Sequence, residues 1–265
     1  MFNIILFALI GCGETKPTDS ADTATEPAGE PTIEPSSDTS EAEESFSISG
    51  SLILGDGSPA AGAKIQVCAA LCRRTDVQED GTWSLPGVEA DHYIVLGFFQ
   101  GDSTIATTAT LIDITEDRVL DPMTILPYDT KEAYVAGPHS YGMSNGLELK
   151  LNSDDISAGA YSIGSSDTIS SVLVDPATIP SDYDSSTVLK MWMLGDYDHG
   201  NTSGMKLSYT DLLDVDDGTT VALLYINNEA HEWESLGSFT VTGGEADIKD
   251  LELPVMSSVK IVISE

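Results

Sequence analysis

A chain of 265 residues holds one large domain or two ordinary ones, and a hydrophobic content of 41% is that of a globular protein. Against 11 basic residues stand 44 acidic ones, for a formal net charge of −33. A field of that sign repels phosphate backbones and anionic headgroups, so nucleic-acid binding and docking on a bare anionic surface are disfavoured, whereas solubility and attraction of divalent cations are favoured.

The chain opens MFNIILFALIGC. The apolar run Phe2 to Ile10 is far shorter than the roughly 20 residues that span a bilayer, and its place at the N-terminus predicts a secretory signal over 1–11. The run ends Leu9-Ile10-Gly11-Cys12, which resembles the lipobox of bacterial lipoproteins. That resemblance implies cleavage before Cys12, a diacylglycerol on its thiol, and stable anchoring by several acyl chains. The family's signals begin with Lys or Arg, whereas this one begins Met1-Phe2-Asn3. Gly13 rather than Asp after the cysteine implies, by the same resemblance, the outer membrane as destination.

From Cys12 to Ser45 the sequence has no aromatic residue, a single basic one (Lys16), and acids scattered among Pro, Thr and Ser. Such a segment cannot bury enough apolar surface to offset its ordering entropy, so an extended, disordered linker is expected over 12–45.

Patterns of period two begin at Phe46, and no stretch has a helical period. FSISGSLIL, KIQVC, RRTDV, TWSL, YIVLGFF and STIATTATLIDI read as strands separated by Gly, Pro and Asp turns. Gly50, Pro59, Gly62, Ala63, Thr75, Gly81, Trp83, Leu85, Pro86, Gly87 and Tyr93 stand where they do in the carboxypeptidase regulatory-like domain, which residues 46–127 resemble. Asp91-His92 replaces the glycine usual before the tyrosine. The resemblance implies a transthyretin-like β-sandwich without catalytic activity and with Trp83 in the core. Architecture is all that such a likeness carries.

Cys68 and Cys72 flank Ala69-Ala70-Leu71, a spacing at which two hairpin residues face each other within reach of a disulfide. Two sulfurs are too few for a metal site, and a redox pair has two intervening residues rather than three, so a structural disulfide is expected.

Residues 128–265 keep to short strands: LELKLN, GAYSIG, SSVLV, VLKMWML, GMKLSY, TTVALLYIN, LGSFTV, EADIKDLEL and SSVKIVIS, at the spacing of a second β-sandwich. The fold class is therefore all-β. Gly142-Met143-Ser144-Asn145-Gly146 matches G-x-S-x-G, but a nucleophile elbow needs a following helix, and a strand follows here, so a plain turn is expected. In GDYDHGNTSG, Asp196, Asp198 and Asn201 offer the alternating oxygens a calcium loop uses, and Asp214 and Asp216 of LDVDDG are expected to add more. Gly200 and Leu207 occupy two places where an EF-hand has ligands, and in so acidic a chain such clusters also arise as solvated loops. No cofactor is expected, and calcium at these residues is the alternative to a solvated acidic loop. His92, His139, His199 and His231 lie near predicted turns with no ligand spacing between them, which predicts solvated histidines.

The expectation is a non-enzymatic envelope lipoprotein, held to a membrane through its lipid and displaying β-sandwich modules for a polysaccharide or protein ligand. A structural subunit of a surface assembly is the alternative, and a hydrolase comes behind both.

Overall fold

The computed structural model describes residues 45–163, 167–179 and 187–264. The expected signal segment, Cys12 and the linker up to residue 44 lie outside the described residues.

Among the described residues nearly everything regular is β-strand. The first eight strands are β1 (Phe46–Leu54), β2 (Lys64–Cys68), β3 (Cys72–Asp76), β4 (Thr82–Val88), β5 (Asp91–Phe98), β6 (Thr108–Ile114), β7 (Arg118–Val119) and β8 (Met123–Ile125). They form two sheets, β4-β1-β7 with β8 also on β1, and β3-β2-β5-β6. Ile48, Leu52, Ile65, Val67, Trp83, Leu85, Tyr93, Val95, Ile112 and Ile114 fill the space between them. Trp83 is buried there as expected. It lies opposite Gly50 in the β1–β4 register, and a methyl group at Gly50 would meet the indole at 3.0 Å, which accounts for a glycine in mid-strand.

Eleven more strands follow: β9 (Thr130–Ala133), β10 (Pro138–Gly142), β11 (Leu147–Asn152), β12 (Ile156–Ala158), β13 (Thr168–Val174), β14 (Val188–Leu194), β15 (His199–Tyr209), β16 (Thr220–Asn227), β17 (Glu232–Thr240), β18 (Ile248–Met256) and β19 (Ser258–Ile263). One sheet runs β17-β16-β19-β14-β13-β9, and the facing one runs β10-β11-β15-β12 with β18 also on β15. Their shared core includes Tyr141, Leu149, Trp192, Leu194, Leu207, Tyr209, Leu223, Val259 and Ile261. The fold is thus all-β, with two β-sandwiches in sequence.

The sandwiches meet through the backs of their inner sheets. Along β5, Tyr93 and Val95 enter the first core, whereas Ile94, Leu96 and Phe98 turn the other way and pack with Tyr197, Ile226 and Trp233. Along β13 and β14, Ile169, Trp192 and Leu194 enter the second core, and Val172, Val174, Met191 and Met193 pack with Ala106 of the first sandwich. Two-sided burial explains why YIVLGFF and VLKMWML read as continuous apolar runs. Lys260 of β19 is also buried on this face, its ammonium 4.1 Å from the centre of the Trp233 ring.

Two local expectations change. GAYSIG is not a strand over 159–163 but a turn, because the backbone N–H of Gly159 and of Tyr161 donate to Asp198 instead of to a neighbouring strand. Pro138–Gly142 is a strand, at the edge of its sheet, where its leading proline withholds no ladder bond. Asn145 and Gly146, both at positive φ (51° and 76°), make the tight β10–β11 turn. Ser144 is buried beside it, its hydroxyl accepting from Ser171 Oγ and its carbonyl from Trp192 Nε1 (2.8 Å), so the G-x-S-x-G match is a turn, as expected.

Candidate functional site

The turn between β14 and β15 stores backbone strain. Asp196 (φ 54°) and Asp198 (φ 62°) both sit in the left-handed region, which costs a non-glycine residue on the order of 1 kcal/mol, although Asp tolerates it better than most. Such strain persists only where surroundings over-determine it. Here they do: Gly195 N–H donates to Ser170 O, His199 N–H to Asp196 O, and Asp198 N–H to Met256 O, at 2.7 to 3.1 Å.

The two carboxylates go to different places. Asp196 accepts from the Tyr134 hydroxyl at 2.9 Å and, with Tyr128, lines a small cavity of about 90 Å³ between the sandwiches. Asp198 is only 5% exposed; its Oδ1 accepts from Asn228 Nδ2 and its Oδ2 from Tyr161 N–H, both at 2.6 Å. Tyr197 completes the knot by donating its hydroxyl to Asn228 Oδ1 at 2.7 Å. Asp198 therefore ties the 159–161 turn and the β16–β17 hairpin to its own strand.

Above that knot lies an open trough of about 330 Å³ lined by Tyr161, Asp198, Tyr225, Asn227, Asn228 and Glu229, with Ser157 to Ala160, Pro254 and Val255. Glu234 stands beside it and accepts from Tyr225 Oη and Asn227 Nδ2, both at 2.7 Å; these bonds hold its carboxyl below the usual range. His231 borders Tyr161, its Nε2 3.2 Å from the tyrosine hydroxyl and its ring edge-on at 5.9 Å.

Of the five residues weighed as calcium ligands, the structure brings Asp196 and Asp198 into one turn but aims them apart. Asn201 donates Nδ2 to Asn152 O and accepts at Oδ1 from Ser203. Asp214 and Asp216 follow the far end of β15, whose eleven residues carry the chain some 30 Å away at about 3.3 Å per residue. Among the described residues, no three His, Cys, Asp or Glu side chains converge as a metal-binding set. The Cys68–Cys72 disulfide is present. Two of the four histidines depart from the expectation of solvation: His199 begins β15 and is buried, with Nδ1 2.9 Å from Asp196 O, and half-buried His139 stacks edge-on with Tyr141 at 4.9 Å. His92 is exposed and paired with Asp113.

No family of known proteins matches the sequence, and no curated protein matches it. Among solved structures, the chain is similar to a DUF3823 family protein from Bacteroides ovatus at 9% identity, covering 84% of this chain and 96% of that one with a TM-score of 0.26. A "putative carbohydrate binding protein" from Bacteroides uniformis is similar at 13% identity, covering 83% and 99% with a TM-score of 0.25. The major pilin SpaD of Corynebacterium diphtheriae is similar at 11%, covering 81% and 84% with a TM-score of 0.29. Likenesses this remote carry no inference about the trough.

The trough residues Tyr161, Asn227, Asn228 and Glu229 were not singled out in the sequence. Their one legible signal is NNEAHE, a polar hairpin tip between two strongly apolar strands.

The tyrosines around Asp196 set an alkaline limit. Burial first, and then the Asp196 carboxylate, raise the phenols of Tyr134 and Tyr128 above the ordinary 10.0. Below pH 10 both states keep these protons and the stabilisation is whole; above it the unfolded chain ionises first, so stability falls as pH rises toward the folded values. Melting temperature is expected to hold from pH 8 to 10 and fall beyond, with the phenolate absorbance at 295 nm contributed by Tyr134, read as the difference from Tyr134→Phe, rising only with unfolding. Tyr134→Phe should flatten part of that decline; an unchanged slope would contradict this assignment.

Proposed function

We propose that the chain is a non-enzymatic binding module whose trough holds a glycan, displayed from the cell envelope by a lipid on Cys12. The trough's lining carries this reading. Aromatic rings such as Tyr161 pack on the C–H faces of a sugar, while the amide of Asn227 and the exposed carboxylate of Glu229 bridge neighbouring hydroxyls, and buried Asn228 holds Asp198 in place beneath them. The trough's carboxylates, Asp198 and Glu229, have no lysine or arginine beside them among the described residues of the lining, so the fitting ligand is a neutral glycan rather than a uronate polymer. The carboxypeptidase regulatory-like identity of the first sandwich belongs to this proposal, supported by the packing of Trp83 over Gly50.

The test is retention of the purified chain on immobilised glycans, neutral and uronic, with calcium and with chelator. Retention on neutral glycans is expected, weakened about tenfold by Tyr161→Ala, on the scale of 1 to 2 kcal/mol for one well-placed aromatic contact. Retention lost in chelator would restore a metal to the Asp196–Asp198 turn. Retention of envelope proteins but of no glycan would replace this reading with the assembly subunit.

A further inference from the structure

We infer that the Cys68–Cys72 disulfide is a latch on the trough, so that its thiol–disulfide state sets how firmly the Tyr161 wall is held. This rests on the trough being the ligand site. Cys68 and Cys72 face each other in the β2–β3 register, closing a three-residue tip in which Ala69 N–H donates to Leu71 O at 3.3 Å. The tip reaches across to the second sandwich, where Ala69 O accepts from the Tyr161 hydroxyl at 3.3 Å. The same tyrosine lines the trough, contacts His231, and donates its backbone N–H to Asp198. One residue thus joins the hairpin, the histidine and the buried carboxylate. Cys68 itself is buried in the cluster that contains Tyr161, Tyr197, Ile226 and Trp233. The other arm, β3, is the outermost strand of its sheet, and its Cys72 end is held by β2, by the disulfide and by exposed Arg73, whose guanidinium donates to Pro86 O and Gly87 O of β4.

The surroundings of the sulfurs favour a bond that opens. Gln66 is buried and donates Nε2 to Cys68 Sγ at 3.2 Å, and its Oε1 accepts from Arg74 Nε at 2.5 Å. An amide donor polarised by a guanidinium stabilises negative charge on Cys68 sulfur, the charge that develops when it is the leaving group. Cys72 is exposed and open to attack. A thiolate of a dithiol reductant attacks Cys72 Sγ, and the S–S electron pair leaves on Cys68 Sγ, which takes up a proton. The reductant's second thiolate then attacks its own sulfur in the mixed disulfide, releasing Cys72 as a thiol and closing the reductant to a cyclic disulfide. Two electrons and two protons have moved to the protein.

The experiment is hydrogen exchange with mass readout on the full chain, oxidised and after dithiothreitol, alongside Tyr161→Phe and a Cys68→Ala/Cys72→Ala double variant, with retention on neutral glycans measured on the same samples. Reduction is expected to speed exchange of residues 159–163 and 228–231 at least tenfold while β11 is unchanged, and to weaken glycan retention comparably. The double variant should match the reduced protein whether or not dithiothreitol is present. Tyr161→Phe, which keeps the disulfide, should speed exchange at 159–163 while oxidised and gain little more on reduction. Exchange at 159–163 within twofold of the oxidised protein, with reduction confirmed by the two-hydrogen mass gain, overturns the latch. An oxidised protein that retains no glycan overturns the trough reading, and the exchange comparison still decides the latch.

Discussion

Asp198→Ala is expected to abolish glycan retention and to lower unfolding free energy by about 3 to 5 kcal/mol. The loss has two sources. Asn228 Nδ2 and Tyr161 N–H lose a buried acceptor, each at about 1 to 3 kcal/mol, and alanine at φ 62° adds roughly 1 kcal/mol of strain. Asp198→Asn separates the two, because asparagine tolerates the left-handed region and keeps one acceptor oxygen. It should recover part of the stability while leaving Tyr161 or Asn228 unbonded and the trough misshapen. Urea unfolding followed by Trp fluorescence measures the first effect, and the glycan column the second. An alanine variant with wild-type midpoint would mean that the turn is held without its carboxylate.

Trp192→Ala carries a comparable cost for a different reason. The side chain is fully buried at the centre of the second core, edge-on to Tyr209 at 5.6 Å, and truncation leaves a cavity worth about 3 to 5 kcal/mol. Trp192→Phe fills most of the space but takes the indole donor from Ser144 O, which keeps only the longer bond from Leu147 N–H at 3.4 Å, so a loss of about 1 kcal/mol remains. If the two variants melted alike, burial alone would account for the tryptophan and its bond to Ser144 would be incidental.

Much of the fold is legible because strands write their burial into the sequence. FSISGSLIL alternates and becomes β1, with one face in the core; YIVLGFF does not alternate and becomes β5, buried on both faces. What failed was local inference where a distant residue decides. GAYSIG has the composition of a strand, yet Asp198, 39 residues after Gly159, captures its backbone and turns it. Asp196 and Asp198 are legible as alternating oxygen donors, but their divergence was not, because two left-handed residues in three aim the side chains at separate partners. Tyr161 carried no sequence signal, since its importance comes from three contacts spread over Ala69, Asp198 and His231.

The apolar face shared by the sandwiches has a consequence for how such a chain is inherited. A module joined by a tether can be copied into another gene and work there unchanged. Here the back of β5, with Ile94, Leu96 and Phe98, would be laid bare by excision, as would Val172, Val174, Met191 and Met193 on the second sandwich. Neither half is a free part. Drift at this seam has to be compensated from the other side, so substitutions in β5 should be traded in pairs with ones at Ile226 or Trp233 among descendants of this chain, and recombination that survives should fall outside the span that holds both.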